Sequence, residues 1–308
     1  MNRILFVCFC VVLVGLTGCG RDKVLVRPDR LAPGNGDPGR GGSGVYMRPA
    51  LDIVIRIAED ATNFTPGDLM SLFVNSVDHT DEIVIGGKYA ILTLDPSPTG
   101  ANFVELIRPN GVLVDTFTYN ADPQPLPTIT AVSSTTAMRG DQVTVSGTLL
   151  TATAVRVFFG GFEGTVDASS DSSITATVPD DAIPGLIFVL VDGVAAEGLV
   201  GLTVVDDEGT RIPQPSSAHV FAVFPAAGVI ETPVRICGIN FDSSAHGVYN
   251  AEAGQRLLDV KAVDVPDFGP VTEAFGVVGL NSSPGSAGFE LRPQSGSLSN
   301  NLPFVVNG

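Results

Sequence analysis

Two short acidic clusters hold the side chains best suited to a hard cation. Asp206-Asp207-Glu208 lies where one run of strand-like sequence ends and another begins. Calcium takes six to eight oxygen ligands, so carboxylates at such a junction would share one ion and stiffen it. Calcium is the candidate ligand of Asp206, Asp207 and Glu208, with a solvated turn the stronger reading and no other cofactor expected. Asp78-His79-Thr80-Asp81-Glu82 is the second cluster. Neither follows the Asp-x-Asp-x-Asp-Gly spacing of a calcium loop, and a solvated turn is the alternative for both. The three histidines, His79, His219 and His246, stand far apart and lack ligand spacing. The chain contains no Gly-x-Ser-x-Gly elbow, His-Glu-x-x-His pair or Gly-x-x-x-x-Gly-Lys phosphate loop. Gly34-x-Gly36-x-x-Gly39 matches the dinucleotide fingerprint in letters only. Pro33 and Pro38 flank and interrupt it, and no strand or helix pattern surrounds it. A carboxylate pair in a cleft can hydrolyse glycosides. Small sandwich modules rarely enclose the concavity such a site needs. A non-catalytic protein is expected.

The amino terminus carries the most specific chemistry. Met1-Asn2-Arg3 is followed by an uncharged, mostly apolar run over residues 4–16. That run is too short to span a bilayer, which takes about 20 residues, and fits a signal-peptide core. It closes on Leu16-Thr17-Gly18-Cys19. This tetrapeptide resembles the lipobox of bacterial lipoproteins. The resemblance implies that residues 1–18 are removed and that Cys19, lipidated on sulfur and acylated on nitrogen, becomes the first residue. Several acyl chains are needed for a stable anchor, because one binds only marginally. In Gram-negative members an Asp after the cysteine favours the inner membrane. Gly20 stands there, so the resemblance implies the outer membrane. With Cys8 and Cys10 lost and Cys19 acylated, Cys237 alone remains, and the mature chain forms no internal disulfide.

The elements that must position these groups are strands. Hydrophobic residues make up 44% of the 308 residues and charged ones 16%, which is apolar enough for packed cores. Gly 35, Pro 22 and no Trp point to a turn-rich β protein. The net charge of −16 argues against a nucleic-acid partner, because neutralising phosphate needs Lys and Arg. Residues 19–50 read as a lipidated cysteine followed by a Gly- and Pro-rich tether, about 30 Å long as a coil. Six basic residues stand against three acidic ones in 20–50, whereas 51–308 carry 10 basic and 30 acidic. A basic leash would lie near an anionic membrane that repels the acidic body, and mere solubility is the alternative.

Residues 51–122 read as a small antiparallel sandwich. Its runs are 51–57, 69–75, 89–94, 103–108 and 112–119, with a hairpin signal at Arg108-Pro109-Asn110-Gly111. In 126–206, Val143 and Val145 alternate with Gln142, Thr144 and Ser146, and Ile174, Ala176 and Val178 alternate with Thr175 and Thr177. Period two buries one face and wets the other. The series opens at Pro127-Thr128-Ile129 and Arg139-Gly140-Asp141. It runs through Val155 to Gly161 and Pro184-Gly185, and closes at 200–205. This order resembles the IPT/TIG domain and implies an immunoglobulin-like sandwich. Residues 214–308 resemble a second, divergent copy, with Val220 to Gly228, Val234 to Phe241 and Ser299 to Val306 in matching places. The stretch 243–285 is longer and less regular. Cys237 aligns with Ser146, so it points away from Val234 and Ile236 and is expected to be inert and partly covered.

The fold class is all-β: tandem immunoglobulin-like sandwiches after a signal peptide and tether. The expected function is adhesion, scaffolding or protein or glycan binding by a rod of modules anchored through Cys19 to the envelope bilayer. A second reading is an accessory polysaccharide-binding subunit of an envelope complex, and a third is a hydrolase. The residues of a binding surface are not named by the sequence.

Overall fold

The structure, a computed structural model, describes residues 24–26, 51–57, 71–86, 89–94, 100–107, 113–121, 126–228, 232–249, 252–279, 282–286, 288–294 and 296–307. Cys19, and with it the expected anchor, lies outside these residues. The all-β expectation holds: among the described residues the one helical turn is a 3₁₀ turn at Thr80–Glu82.

The first unit is two antiparallel sheets. Strands β1 (Val24–Val26), β2 (Leu51–Ile57), β5 (Val84–Gly86) and β6 (Tyr89–Leu94) pair in the order β1-β2-β6-β5. Strands β3 (Ser71–Val74), β4 (Val77–Asp78), β7 (Gly100–Ile107) and β8 (Leu113–Ala121) pair in the order β4-β3-β7-β8. The segment 19–50, read as tether throughout, thus contributes a strand. Val24, Leu25 and Val26 are three apolar residues in a run, and they pair with Ile57, Arg56 and Ile55. The run expected to end at 75 ends at Val74. Asn75 and Ser76 take positive φ of 52° and 68°, which matches the twist of a two-residue hairpin.

The central unit contains β9 (Thr128–Val132), β10 (Thr136–Met138), β11 (Gln142–Thr148), β12 (Val155–Phe159), β13 (Phe162–Ser169), β14 (Ser173–Thr177), β15 (Gly185–Val191), β16 (Val194–Ala195) and β17 (Val200–Val205). Eight of these curl through one path, β10-β17-β15-β12-β13-β14-β11-β9, and β16 pairs with β15 beside it. Val143, Val145, Ile174, Ala176 and Val178 are buried, as the alternation requires. They pack with Val157, Phe159, Ile187 and Val189 from the opposite side in one core.

The C-terminal unit contains β18 (His219–Phe224), β19 (Ala227–Gly228), β20 (Pro233–Ile239), β21 (His246–Tyr249), β22 (Glu252–Arg256), β23 (Leu258–Val265), β24 (Gly269–Val277), β25 (Phe289–Arg292) and β26 (Val305–Val306). Its sheets are β18-β20-β24-β23, β22-β21-β25 and β19-β26. The irregular stretch 243–285 therefore supplies four of these strands. Tyr249, Phe289 and Phe304 fill the core with ring centroids 5.2–6.5 Å apart.

The central and C-terminal units share a core. All seven residues of β15 are buried. Ile187, Val189 and Val191 point into the central core. Leu186, Phe188 and Leu190 point the other way and pack, with Phe158, in a cluster with Phe221, Phe224 and Cys237. Phe188 meets Phe224 edge-on at 5.7 Å. A Cβ on Gly201 would overlap the Phe268 ring, so only glycine lets the C-terminal unit come this close. The rod of separate modules expected from the sequence is replaced at this point by sheet packed on sheet. Full burial of each large apolar side chain contributes about 1.5–3 kcal/mol, so no loose hinge would persist there.

Candidate functional site

Asp206 makes the turn it sits in. Its Oδ1 accepts hydrogen bonds from the backbone N–H groups of Glu208 (3.0 Å) and Thr210 (2.8 Å). The Asp206 N–H donates to the Thr210 carbonyl, and the Gly209 N–H donates back to the Asp206 carbonyl. Gly209 takes φ +78°, where a side chain is strained. This is an Asx turn closing on the Val205–Arg211 bridge. Asp207 and Glu208 line a shallow hollow with Val205, Ile212 and Arg139. The Arg139 guanidinium is pinned by two bonds to the Ala182 carbonyl, at 2.9 and 3.1 Å. The same hollow is thus lined by a fixed cation as well as by carboxylates. Among the described residues no group of three or more His, Cys, Asp or Glu is arranged to hold a metal.

The second acidic cluster is also a turn. Asp78 Oδ1 accepts from the N–H and the hydroxyl of Thr80, and the hydroxyl bond holds its carboxyl below the ordinary carboxylate range. His79 Nδ1 and Glu82 Oε2 are 3.0 Å apart beside it. His219 lies elsewhere, buried between the central and C-terminal units, and burial pushes its pKa down. His246 begins β21. The structure brings none of the three together.

Cys237 faces away from Val234 and Ile236, as its alignment with Ser146 requires, yet its exposure is 0%. The expected partial cover is complete. Its cross-strand neighbours are Ala222 and Glu273, and Arg235, two residues earlier on the same face, reaches Glu197 of the central unit at 2.7 Å. The face that a lone sandwich would leave wet is the face packed against β15. Burial pushes the thiol up to about 12, so the thiolate is disfavoured at neutral pH.

The open surface is the other sheet of the central unit. Gln142, Thr144, Ser146 and Thr148 project from β11, with Ser173, Thr175 and Thr177 beside them on β14. Thr165 on β13 lies opposite Thr177, and Thr128 on β9 lies opposite Thr148. Hydroxyls meet across the strands. Thr144 and Thr175 Oγ1 atoms are 3.3 Å apart, and those of Thr128 and Thr148 are 2.8 Å apart. Thr177 donates to Asp167 Oδ2 at 2.8 Å. β-Branched threonine suits a pleated strand, and each hydroxyl adds one donor and two acceptor sites. The alternation had put Thr144, Ser146, Thr175 and Thr177 on the wet face. It carried no sign that neighbouring strands would continue the same chemistry into one field.

Residues 127–212 match the family model of the IPT/TIG domain, an immunoglobulin-like β-sandwich. No curated protein matches the chain. Among solved structures the chain is similar to the plexin A4 extracellular region (16% identity, 78% of this chain, 21% of that one, TM-score 0.22). It is similar to SGBP-B of a Bacteroides ovatus mixed-linkage glucan utilization locus, in complex with a mixed-linkage heptasaccharide (14% identity, 99% and 70%, TM-score 0.23). It is also similar to a surface glycan-binding protein of Prevotella bryantii (11% identity, 74% and 59%, TM-score 0.22). The chain spans less than two thirds of the plexin region and of the Prevotella protein.

Proposed function

We propose that this chain is a non-catalytic lipoprotein of the cell envelope, held in the outer membrane through acylated Cys19, that binds a neutral polysaccharide. The observation that carries this reading is the hydroxyl field on β11, β14 and their neighbours. In a chain of net charge −16, this face carries Gln, Ser and Thr along the pairs just described, with Asp167 beside Thr177 and Glu163, on the same side of β13, tied to Arg156. A polyhydroxylated, uncharged chain laid flat on it would exchange hydrogen bonds with water for hydrogen bonds with threonine at little electrostatic cost. A polyanion would meet the repulsion of the whole body. The packed joint between the IPT/TIG sandwich and the C-terminal unit supports this role by keeping the platform rigid, which lowers the ordering cost of binding.

Affinity electrophoresis of the full chain through neutral polysaccharides and their sulfated forms tests the ligand class. Retardation by the neutral polymers and none by the sulfated ones is expected. Thr144→Val and Thr175→Val keep shape and remove a hydroxyl. Each lost bond contributes about 0.5–1.5 kcal/mol, so binding should fall roughly two- to tenfold with the melting temperature unchanged. Equal binding by both variants and the parent sinks the glycan face, and new reducing ends in the mixture sink the non-catalytic part. Mass analysis of the mature amino-terminal peptide tests the anchor: an unmodified Cys19 refutes it.

A further inference from the structure

We propose that His219 is an acid-operated latch: neutral, it fastens the C-terminal unit to the IPT/TIG sandwich, and protonated, it lets the two sheets part. The inference stands on the joint and not on the glycan reading. His219 opens β18 and is 6% exposed. Its ring lies 5.6 Å from Phe162 of the IPT/TIG sandwich at an interplanar angle of 28°, and 5.6 Å from Phe221 on its own strand. Its Nε2 is 2.7 Å from the carbonyl oxygen of Gly160. A carbonyl only accepts, so Nε2 carries the hydrogen, and the neutral ring leaves Nδ1 bare.

The two-residue turn between β12 and β13 is seated on this ring. A Cβ on Gly161 would come within 2.9 Å of His219 Nε2, 2.7 Å of the Val220 carbonyl oxygen and 2.5 Å of Asn300 Nδ2. Asn300 in turn clasps Val220, its Oδ1 accepting from the N–H and its Nδ2 donating to the carbonyl. Gln214 adds a bond to the Pro184 carbonyl at 2.9 Å. One imidazole therefore touches both halves of the joint where their backbones come close.

Among the described residues, the charged groups on the surrounding elements are engaged with other partners. From β12 and β13 come Arg156 and Glu163, joined to each other at 2.7 and 2.8 Å. From β20 comes Arg235, bound to Glu197 at 2.7 Å, with Cys237 as a neutral thiol. Glu273 on β24 lies between Arg235 and Lys261, and Asp242 after β20 accepts from Ser244. Residues 299–301 are Ser-Asn-Asn and carry no charge. A second proton would put a charge on a side chain that is 6% exposed, where little water is left to solvate it. Burial accordingly lowers the His219 pKa, with the Gly160 bond opposing in part. A folded pKa below the unfolded value of about 6.5 means the latch holds fully above that pH. It weakens as the pH falls below it toward the folded value.

Cys237 reports the latch, because it lies under the joint. The full chain is pulsed with a thiol reagent at pH 7.5, 6.5, 5.5 and 4.5, and modification of Cys237 is read by peptide mass. Each rate is divided by that of the urea-unfolded chain at the same pH, which removes the reagent's own dependence. The normalised rate is expected to rise severalfold from pH 7.5 to 4.5. His219→Gln keeps an N–H for the Gly160 carbonyl and cannot be charged, so its profile should stay flat while far-UV spectra of both remain β-rich. A flat parent profile, identical profiles for parent and H219Q, or loss of the β spectrum along with labelling each overturns the latch. If H219Q does not fold, the ring's own titration in the parent decides by NMR: a midpoint below 6.5 supports the proposal, and one at or above 6.5 overturns it.

Discussion

The two outer faces of the IPT/TIG sandwich obey the same period-two rule and come to opposite ends. On β11 and β14 the outward residues are Thr144, Ser146, Thr175 and Thr177, and they remain at the surface. On β12 and β15 they are Phe158, Leu186, Phe188 and Leu190, and they vanish into a second core. Alternation tells which residues share a face and is silent on what that face meets. A strand with no polar position has two apolar neighbours, and β15 is such a strand.

The comparison can be broken most forcefully at Phe188. Phe188→Ala removes a ring that touches Phe158 and Phe224 at 5.7 Å each, and should cost about 3–5 kcal/mol in urea unfolding. With the joint intact the two units should melt as one transition, and the variant should split it. A single, unshifted transition would contradict the shared core. Gly201→Val drives a side chain into Phe268 and should cost about 1–3 kcal/mol by the same measurement.

Glu197→Gln weakens the one strong ion pair described across the joint. The partners are 26% and 29% exposed, so about 1 kcal/mol is expected, shrinking at high salt. The Arg156–Glu163 pair is more open, and its effect should be smaller still. The Arg156 hydrogen bond holds the Glu163 carboxyl below its ordinary value. Its stabilisation is present above the unfolded glutamate pKa and is lost as the pH falls through the folded one. Glu163→Gln should therefore reduce the melting temperature by about a degree or two at neutral pH, and by less as the pH falls below the ordinary glutamate range. Thr175→Val, on the open face, should change stability by less than about 0.5 kcal/mol. A larger loss would mean that face is covered after all.

Much of the fold was legible residue by residue. The strands at Leu51–Ile57 and Tyr89–Leu94 fall where the apolar runs place them, and Val143 and Val145 of β11 and Ile174 and Ala176 of β14 point inward. Strand β13 was missed because Phe162-Glu163-Gly164-Thr165-Val166 has a glycine and a half-exposed valine on its inner side, so its pattern is faint. Val24–Val26 was lost in the composition of its neighbours. The cover on Cys237 was not legible at all, since it is supplied by residues such as Phe188, distant in sequence. The same holds for the setting of His219, whose partners Gly160 and Phe162 lie almost 60 positions away. Asp206 was read for its charge, while its geometry follows from the Gly three residues on.

The glycine at 201 and the phenylalanines around 188 have a bearing on how this protein can be cut and recombined. A fragment ending at residue 212 would carry a greasy flank into water and should clump, whereas one ending at 307 should stay dispersed. In any fusion, deletion or domain swap, these two lobes have to travel together.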